Sequence, residues 1–335
     1  TSAPLYPKNS LTVTARGTIG SVFYRDTPFD AVIRLLVLSP LDNSTNPKYF
    51  KYYINHIVEF ERENTGVPQL TIPKISEKRV AFPLKEEQDR IVIALETFDI
   101  HIAHLTELIE KKKAIREGAL EDLISGKTRL SGFTGRWETV NFESVIIPKA
   151  RIGWQGLKSD EYLRQGFCYL IGGTDFYNGT VSLDNIWFVS EERYAMDANI
   201  QVEENDVLVT KDGTIGKIAL VPHLEKPAAL NSGVFVFRTQ NGLSRQFLYR
   251  VLISSVFKEF IDTLAAGSTI KHLYQKDLKN FKFPIPLDEA EQEAIATTLT
   301  TMDDEIHSLE EERDKMIKIR EGAMDDLLTG KVRLT

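Results

Sequence analysis

The run IREGALEDLISGKTRL at 115–130 returns at 319–334 as IREGAMDDLLTGKVRL, identical at 11 of 16 positions. An internal repeat constrains architecture more than any single residue, because each copy is one structural unit and the copies must fold as related objects. The period here is 204 residues. That is far beyond solenoid periods of about 20 to 50, so the chain reads as duplicated domains. Toward the N-terminus, TARGTIG at 14–20 matches TKDGTIG at 210–216, and a helix opening at Asn46 matches one at Ser244. Gly66 then corresponds to Gly267, and FPLKEEQ from Phe82 to IPLDEAEQ from Ile285. The offset grows steadily from 196 to 204, as small loop insertions within one conserved order would produce. Residues 132–205 have no counterpart ahead of Leu11, so the first copy is expected to be N-terminally short, whether by truncation or because another chain completes it.

Each repeated tail reads as one long helix. Ile91, Leu95, Phe98, Ile102, Leu105 and Ile109 recur at alternating spacings of 4 and 3. Ile295, Leu299, Met302, Ile306 and Leu309 repeat the register in the second copy. This period is that of a coiled-coil seam. Pro83 with Glu86, and Pro286 with Glu289, suit the helix starts, while Gly126 and Gly330 suit the stops. A helix with such a stripe needs a partner, and the other copy supplies one of matching register. The parts outside the tails mix strand-like runs (NDVLVT, KIALV, GVFVFRT) with a helix over 244–266 and another capped by Asn46 and Pro47. The fold class expected is therefore α+β: two related globular domains joined by two long paired helices in a pseudo-two-fold internal repeat.

Hydrophobic residues make up 42% of 335, enough for two packed cores, and no run approaches a membrane span. The N-terminus has no signal-peptide pattern and no initiator methionine, which points to trimming. The single cysteine, Cys168, forms no internal disulfide and reads as a small buried residue of the strand FCYLI. The net charge of -7 is unevenly spread. Residues 1–84 carry +3, 85–131 carry -2, 132–284 carry 0 and 285–335 carry -8. The acidity sits on the tails, so the globular parts remain open to a phosphate-bearing partner.

Familiar catalytic and metal signatures fail. SGKT at 125–128 has Glu121 where a nucleotide loop needs glycine, and Lys331 is followed by Val332 in the second copy. NPKY at Asn46 lacks the second proline of an amino-methyltransferase motif. The six histidines show no metal spacing; His101 with His104, and Asp325 with Asp326, read as solvated helix face. What remains points to binding. The repeated GTIG turns, with Arg16, Thr18, Lys211, Thr214 and Lys217, offer backbone N–H groups and cations to phosphate. A stretch found only in the second copy interleaves basic and aromatic residues: Lys149, Arg151, Trp154, Lys158, Arg164 and Tyr177. With Lys271 these are the candidate DNA-binding residues.

A variable globular domain, a proline-bearing entry to a long helix and the IREGA…DLxxGKxRL ending, each present twice, resemble the specificity subunit of type I restriction-modification systems. The resemblance implies that residues 1–84 and 132–284 are target-recognition domains. It implies that residues 85–131 and 285–335 are conserved spacer helices, paired antiparallel as a coiled coil. By the same resemblance the partners are double-stranded DNA, two methylation subunits and a motor-nuclease subunit. Those partners would bring S-adenosylmethionine, ATP and Mg, leaving this chain non-catalytic, without cofactor or metal, in a prokaryotic cytoplasm. The competing reading is a duplicated coiled-coil adaptor that binds proteins and reads no DNA.

Overall fold

The computed structural model describes residues 3–32, 34–60, 69–151, 156–265 and 272–334. In chain order the elements are β1 (Ser10–Thr14), β2 (Val22–Arg25), β3 (Leu35–Leu38), α1 (Pro47–Ile57), α2 (Ile72–Ser76) and the long α3 (Lys85–Ile124). Then come β4 (Trp137–Asn141), α4 (Phe142–Val145), β5 (Ile146–Ala150), β6 (Cys168–Ile171), β7 (Phe176–Tyr177), β8 (Thr180–Val181) and β9 (Trp187–Val189). After α5 (Glu191–Ala195) follow β10 (Gln201–Val202), β11 (Val207–Thr210), β12 (Ile218–Leu220), β13 (Ala228–Leu230) and β14 (Val234–Thr239). The chain closes with α6 (Arg245–Ile253), α7 (Ser255–Ala265), α8 (Gln275–Leu278), β15 (Lys282–Pro286) and a second long helix, α9 (Glu289–Leu328). Among the described residues no helix is long and apolar enough to cross a membrane. Two compact units emerge: residues 1–111 with 306–335, and residues 112–305.

The first unit is a three-stranded antiparallel sheet, ordered β2-β1-β3, packed on α1. Helix α1 starts where expected, because the Asn46 side chain accepts from the Lys48 N–H and Pro47 occupies the first turn. Its Tyr49, Phe50, Tyr53 and Ile54 meet Leu11, Val13 and Val22 of the sheet. Asn55 fastens helix to strand by exchanging two 2.9 Å bonds with the Val22 backbone. Ile91, Val92 and Leu95 from the start of α3, and Met324 and Leu328 from the end of α9, complete this core. Every such fully buried aliphatic side chain is worth about 2 kcal/mol.

The second unit carries a six-stranded sheet, β5-β14-β11-β12-β8-β7, and a four-stranded sheet, β10-β13-β6-β9. Strand alternation divides β11 and β14 between two cores. Val207, Val209, Phe235 and Phe237 face the helices α6 and α7, whereas Leu208, Val234 and Val236 face Ile171 and Leu230 of the second sheet. The first unit shows the same logic with one face left polar. Thr12 stands where the repeat has Leu208, and its hydroxyl accepts from Arg25 at 3.0 Å. Phe283 and Ile285 of β15 are buried under the antiparallel partner β4. Their counterparts Val80 and Phe82 are 38% and 56% exposed.

The helix expected over 244–266 is two helices, α6 and α7, broken at Ser254. At the break a local cap, Ser254 Oγ accepting from Val256 N–H at 3.3 Å, is joined by a tertiary one. The Glu121 carboxylate accepts from the Ser255 N–H at 2.8 Å and from the Ser255 hydroxyl at 2.5 Å, so it caps α7 from outside.

Within each unit the long-helix segments run antiparallel, recorded by ion pairs at equivalent places. In the first unit Arg320 lies 2.6 Å from Asp99, which also accepts from the Tyr52 hydroxyl. In the second, Arg116 lies 2.7 Å from Asp303, which also accepts from Arg250. The arginine of each GKxRL ending grips the glutamate that opens the other tail. Arg129 donates to Glu291 through Nε at 2.5 Å and Nη2 at 2.7 Å, and Arg333 donates to Glu87 at 2.6 and 2.5 Å. Gly126 and Gly330 end their helices with φ of 71° and 75°. Of the seam residues, Ile91, Leu95, Leu105, Ile109, Ile295, Leu299 and Ile306 are buried, and Phe98, Ile102, Met302 and Leu309 are half-buried.

Candidate nucleic-acid interface

The GTIG turns of the two units share a common set of bonds around one threonine, and the first adds an Ile19 N–H to Gly17 O bond at 3.0 Å. In the first, the Thr14 hydroxyl donates to Thr18 O and accepts from Ser21 N–H, while Gly20 N–H returns to Thr14 O at 2.9 Å. In the second, Thr210 does the same with Thr214 O and Lys217 N–H, and Gly216 N–H returns to Thr210 O at 2.9 Å. Flanking bonds repeat too. Ala15 N–H donates to Arg34 O and receives Leu70 N–H on its own carbonyl; Lys211 N–H donates to Gly233 O and receives Leu273 N–H. Gly20 and Gly216 need their positive φ of 88° and 80°, and a Cβ at Gly20 would overlap the Phe60 ring. These bonds hold each turn as a platform that presents exposed side chains to solvent.

Around the second platform the fold gathers loops that are distant in sequence. Tyr162 donates to Asn231 at 3.2 Å, and Asn231 accepts from Ser232 N–H at 2.7 Å. The loop after β6 comes as close, since a Cβ on Gly173 would crowd Thr210. On one flank the exposed Arg164 guanidinium lies 3.8 Å from the Trp187 ring centroid, and Trp187 meets Tyr162 edge-on at 5.9 Å. On the other flank Asp212 accepts from His272 Nδ1 at 2.5 Å, with the His272 and Tyr274 rings 5.9 Å apart. Gly179, two residues from the exposed Tyr177, lines one groove with Ile215 and Gly216. The first platform carries a counterpart pair, with Arg16 donating to Gln69 Oε1 through Nε at 3.2 Å and Nη2 at 2.8 Å.

The candidates named from sequence therefore divide. Arg16, Thr18, Thr214 and Lys217 are exposed on the two platforms, and Lys211 is half-exposed, 5.8 Å from the Phe235 ring centroid. Arg164 stands in a loop and Tyr177 at the end of β7, both exposed, in the second unit. Lys158 is exposed, but its backbone N–H serves Glu161 in a short turn. Lys149 is half-buried within β5, opposite Val236. Arg151 is a correction. It is 5% exposed and donates to Leu230 O at 3.0 Å, and burial pushes its pKa down. It is an internal brace between β5 and β13, not a surface cation. Trp154 and Lys271, like Gly66 and Gly267, lie outside the described residues. Missed by sequence reasoning were Gln69, Asp212, Asn231 and His272. No spacing signal links them, because their partners lie far along the chain; only Asp212 was within reach, as the residue replacing Arg16 in a motif repeated at five of seven positions.

Among the described residues no cluster of His, Cys, Asp or Glu is arranged to hold a metal ion. His101 instead lies 3.5 Å from Glu312, on the long helices of the first unit. Cys168 is fully buried in β6, where burial pushes its thiol up to about 12.

A mixed α and β chain with a duplicated loop platform belongs to a class that other proteins share. Residues 1–114 and 157–318 match the type I restriction modification DNA specificity domain, and the chain belongs to that family of specificity subunits. Among curated relatives, the specificity subunit of type I restriction enzyme MjaVIII from Methanocaldococcus jannaschii is 26% identical over 290 residues. That alignment covers 82% of this chain and 67% of the relative. The fold is also that of the S subunit of a type I restriction-modification system from M. genitalium. The TM-score there is 0.61 at 20% identity, covering 96% of this chain and 83% of that one. A solved structure concerned with complex assembly and conformational transition of the type I R-M system matches with a TM-score of 0.58 at 16% identity, covering 96% and 82%.

Proposed function

We propose that this chain reads a bipartite DNA target, one half-site through the loop platform of each unit. The long helices α3 and α9 act in this reading as an antiparallel coiled coil with pseudo-two-fold symmetry. At about 1.5 Å per residue, forty residues give a rod of roughly 60 Å. Residues 1–84 and 132–284 are the recognition domains, and residues 85–131 and 285–335 are the spacers. Spacing between half-sites then follows from rod length, as dimer geometry sets half-site separation elsewhere. The spacers also dock methylation subunits, and a motor-nuclease subunit joins the full complex. Those subunits supply S-adenosylmethionine, ATP and Mg chemistry, while this chain contributes recognition without catalysis.

The observation that carries this reading is the shared threonine-centred frame of the two platforms, one in each unit. What favours DNA over a protein partner is the match of residues 1–114 and 157–318 to the DNA specificity domain. The test is insertion of one heptad into both α3 and α9, with selection of bound duplexes from a random pool in the presence of methylation subunits. The expected result is a longer gap between unchanged half-site sequences. Changed half-sites at an unchanged gap would refute the division of labour, and no sequence preference in the parent complex would favour the adaptor.

A further inference from the structure

The two platforms share a frame and differ within the turn motif at two positions, Ala15 against Lys211 and Arg16 against Asp212. Arg16 and Asp212 occupy the same place in TARGTIG and TKDGTIG. Gln69 and His272 each immediately precede the leucine whose N–H docks on the platform, Leu70 on Ala15 O and Leu273 on Lys211 O, both at 2.8 Å. The frame therefore delivers the same two side-chain positions in each unit. The chemistry delivered is opposite.

In the first unit, two guanidinium N–H groups of Arg16 converge on Gln69 Oε1. A guanidinium has five N–H donors and no acceptor. With Gln69 accepting through oxygen, its NH₂ is left as a donor, so the exposed pair is rich in donors. In the second unit, Asp212 accepts from His272 Nδ1 through one carboxylate oxygen and keeps the other, 3.9 Å from the Lys211 ammonium. An ionised carboxylate only accepts. Asp212 is half-exposed and His272 is exposed.

Base edges in the major groove differ in the same sense. Guanine presents the acceptors N7 and O6, and cytosine presents the N4 amino donor; arginine suits the first and aspartate the second. We infer that Arg16 selects guanine in one half-site and Asp212 selects cytosine in the other. Gln69 and His272 are positioning residues that fix the reading side chain. This inference rests on the DNA-reading function proposed above.

The experiment is selection of bound sites from random duplexes by the full chain with its methylation subunits, comparing Arg16→Ala, Asp212→Asn, Gln69→Ala and His272→Ala with the parent. Arg16→Ala should lower discrimination at one guanine of one half-site by roughly 5- to 150-fold, leaving the other half-site intact. Asp212→Asn should do the same at one cytosine of the other half-site. The positioning variants should give smaller losses at those same positions, and Arg16→Lys, which keeps charge without the fork, should not restore selectivity. Loss of affinity for all sequences alike, with a shallower salt dependence, would make these phosphate contacts and overturn the inference. Unchanged selectivity at every position would overturn it as well. A parent complex with no enriched bipartite site would instead bring down the reading beneath it.

Discussion

Truncating Arg129 to alanine should destabilise the second unit more than changing its partner Glu291 to glutamine. Glu291 has no exposed side-chain surface, while Arg129 keeps 29% of its own. Two charge-assisted bonds of 2.5 and 2.7 Å, with a third from Trp137 Nε1 at 3.3 Å, hold that carboxylate. Removing the arginine leaves a buried charge with only the indole donor, a loss worth about 3 kcal/mol, toward the low end for broken buried pairs because the truncation opens a path to water. Glu291→Gln removes the buried charge, and the partly exposed arginine turns to solvent, so about 1 kcal/mol is expected. For a domain of this size 1 kcal/mol corresponds to roughly 2–4 °C in Tm, so calorimetry should show falls of about 6–12 °C and 2–4 °C. The equivalent Arg333→Ala in the first unit should lower Tm less, since Arg333 is 57% exposed and Glu87, 7% exposed, keeps the Leu334 N–H at 3.3 Å. A larger loss from Glu291→Gln than from Arg129→Ala would refute the argument that the unpaired buried carboxylate dominates.

Further outcomes follow from the same geometry. The hydrogen bonds from Arg333 hold Glu87 below the usual carboxylate range. Its contribution is therefore present above the ordinary carboxylate pKa and lost as pH falls through its own lower value, and acid titration of unfolding should show a shallower slope in Arg333→Ala. Cys168 should resist thiol reagents at about pH 8 until the chain is unfolded; modification of the native protein would contradict its burial. Gly17→Ala should cost about 1 kcal/mol for its positive φ alone, because the space around Gly17 is open. Gly20→Ala should cost a further ~1–3 kcal/mol through collision with Phe60, and denaturation midpoints of the two variants compare them directly.

How far the sequence reaches is clearest at the repeats. The 4-and-3 spacing of Ile91 to Ile109 records burial along a helix, and α3 and α9 each run the full 40 residues. The Asn46 cap, the Gly126 and Gly330 stops and the strands β11, β12 and β14 were legible for the same reason. Each depends on residues a few positions apart, so the pattern and its cause lie in one window. Ser254 shows where this ends. Hydrophobic periodicity runs through 244–265, yet the helix breaks at Ser254, where the Ser254 hydroxyl accepts from Val256 N–H and Glu121, 134 residues away, adds a cap from outside.

The candidate site divides along the same line. By itself the sequence determined that two equivalent turns exist and that they carry Arg16 and Asp212 at one shared position. Only the tertiary structure decided that Arg16 meets Gln69 across 53 residues, that Asp212 meets His272 across 60, and that Arg151 lies inside the fold. Composition marks a cation as ready for phosphate. Whether it faces water depends on how the sheets close over it, and that closure is set by contacts far longer in range than any motif.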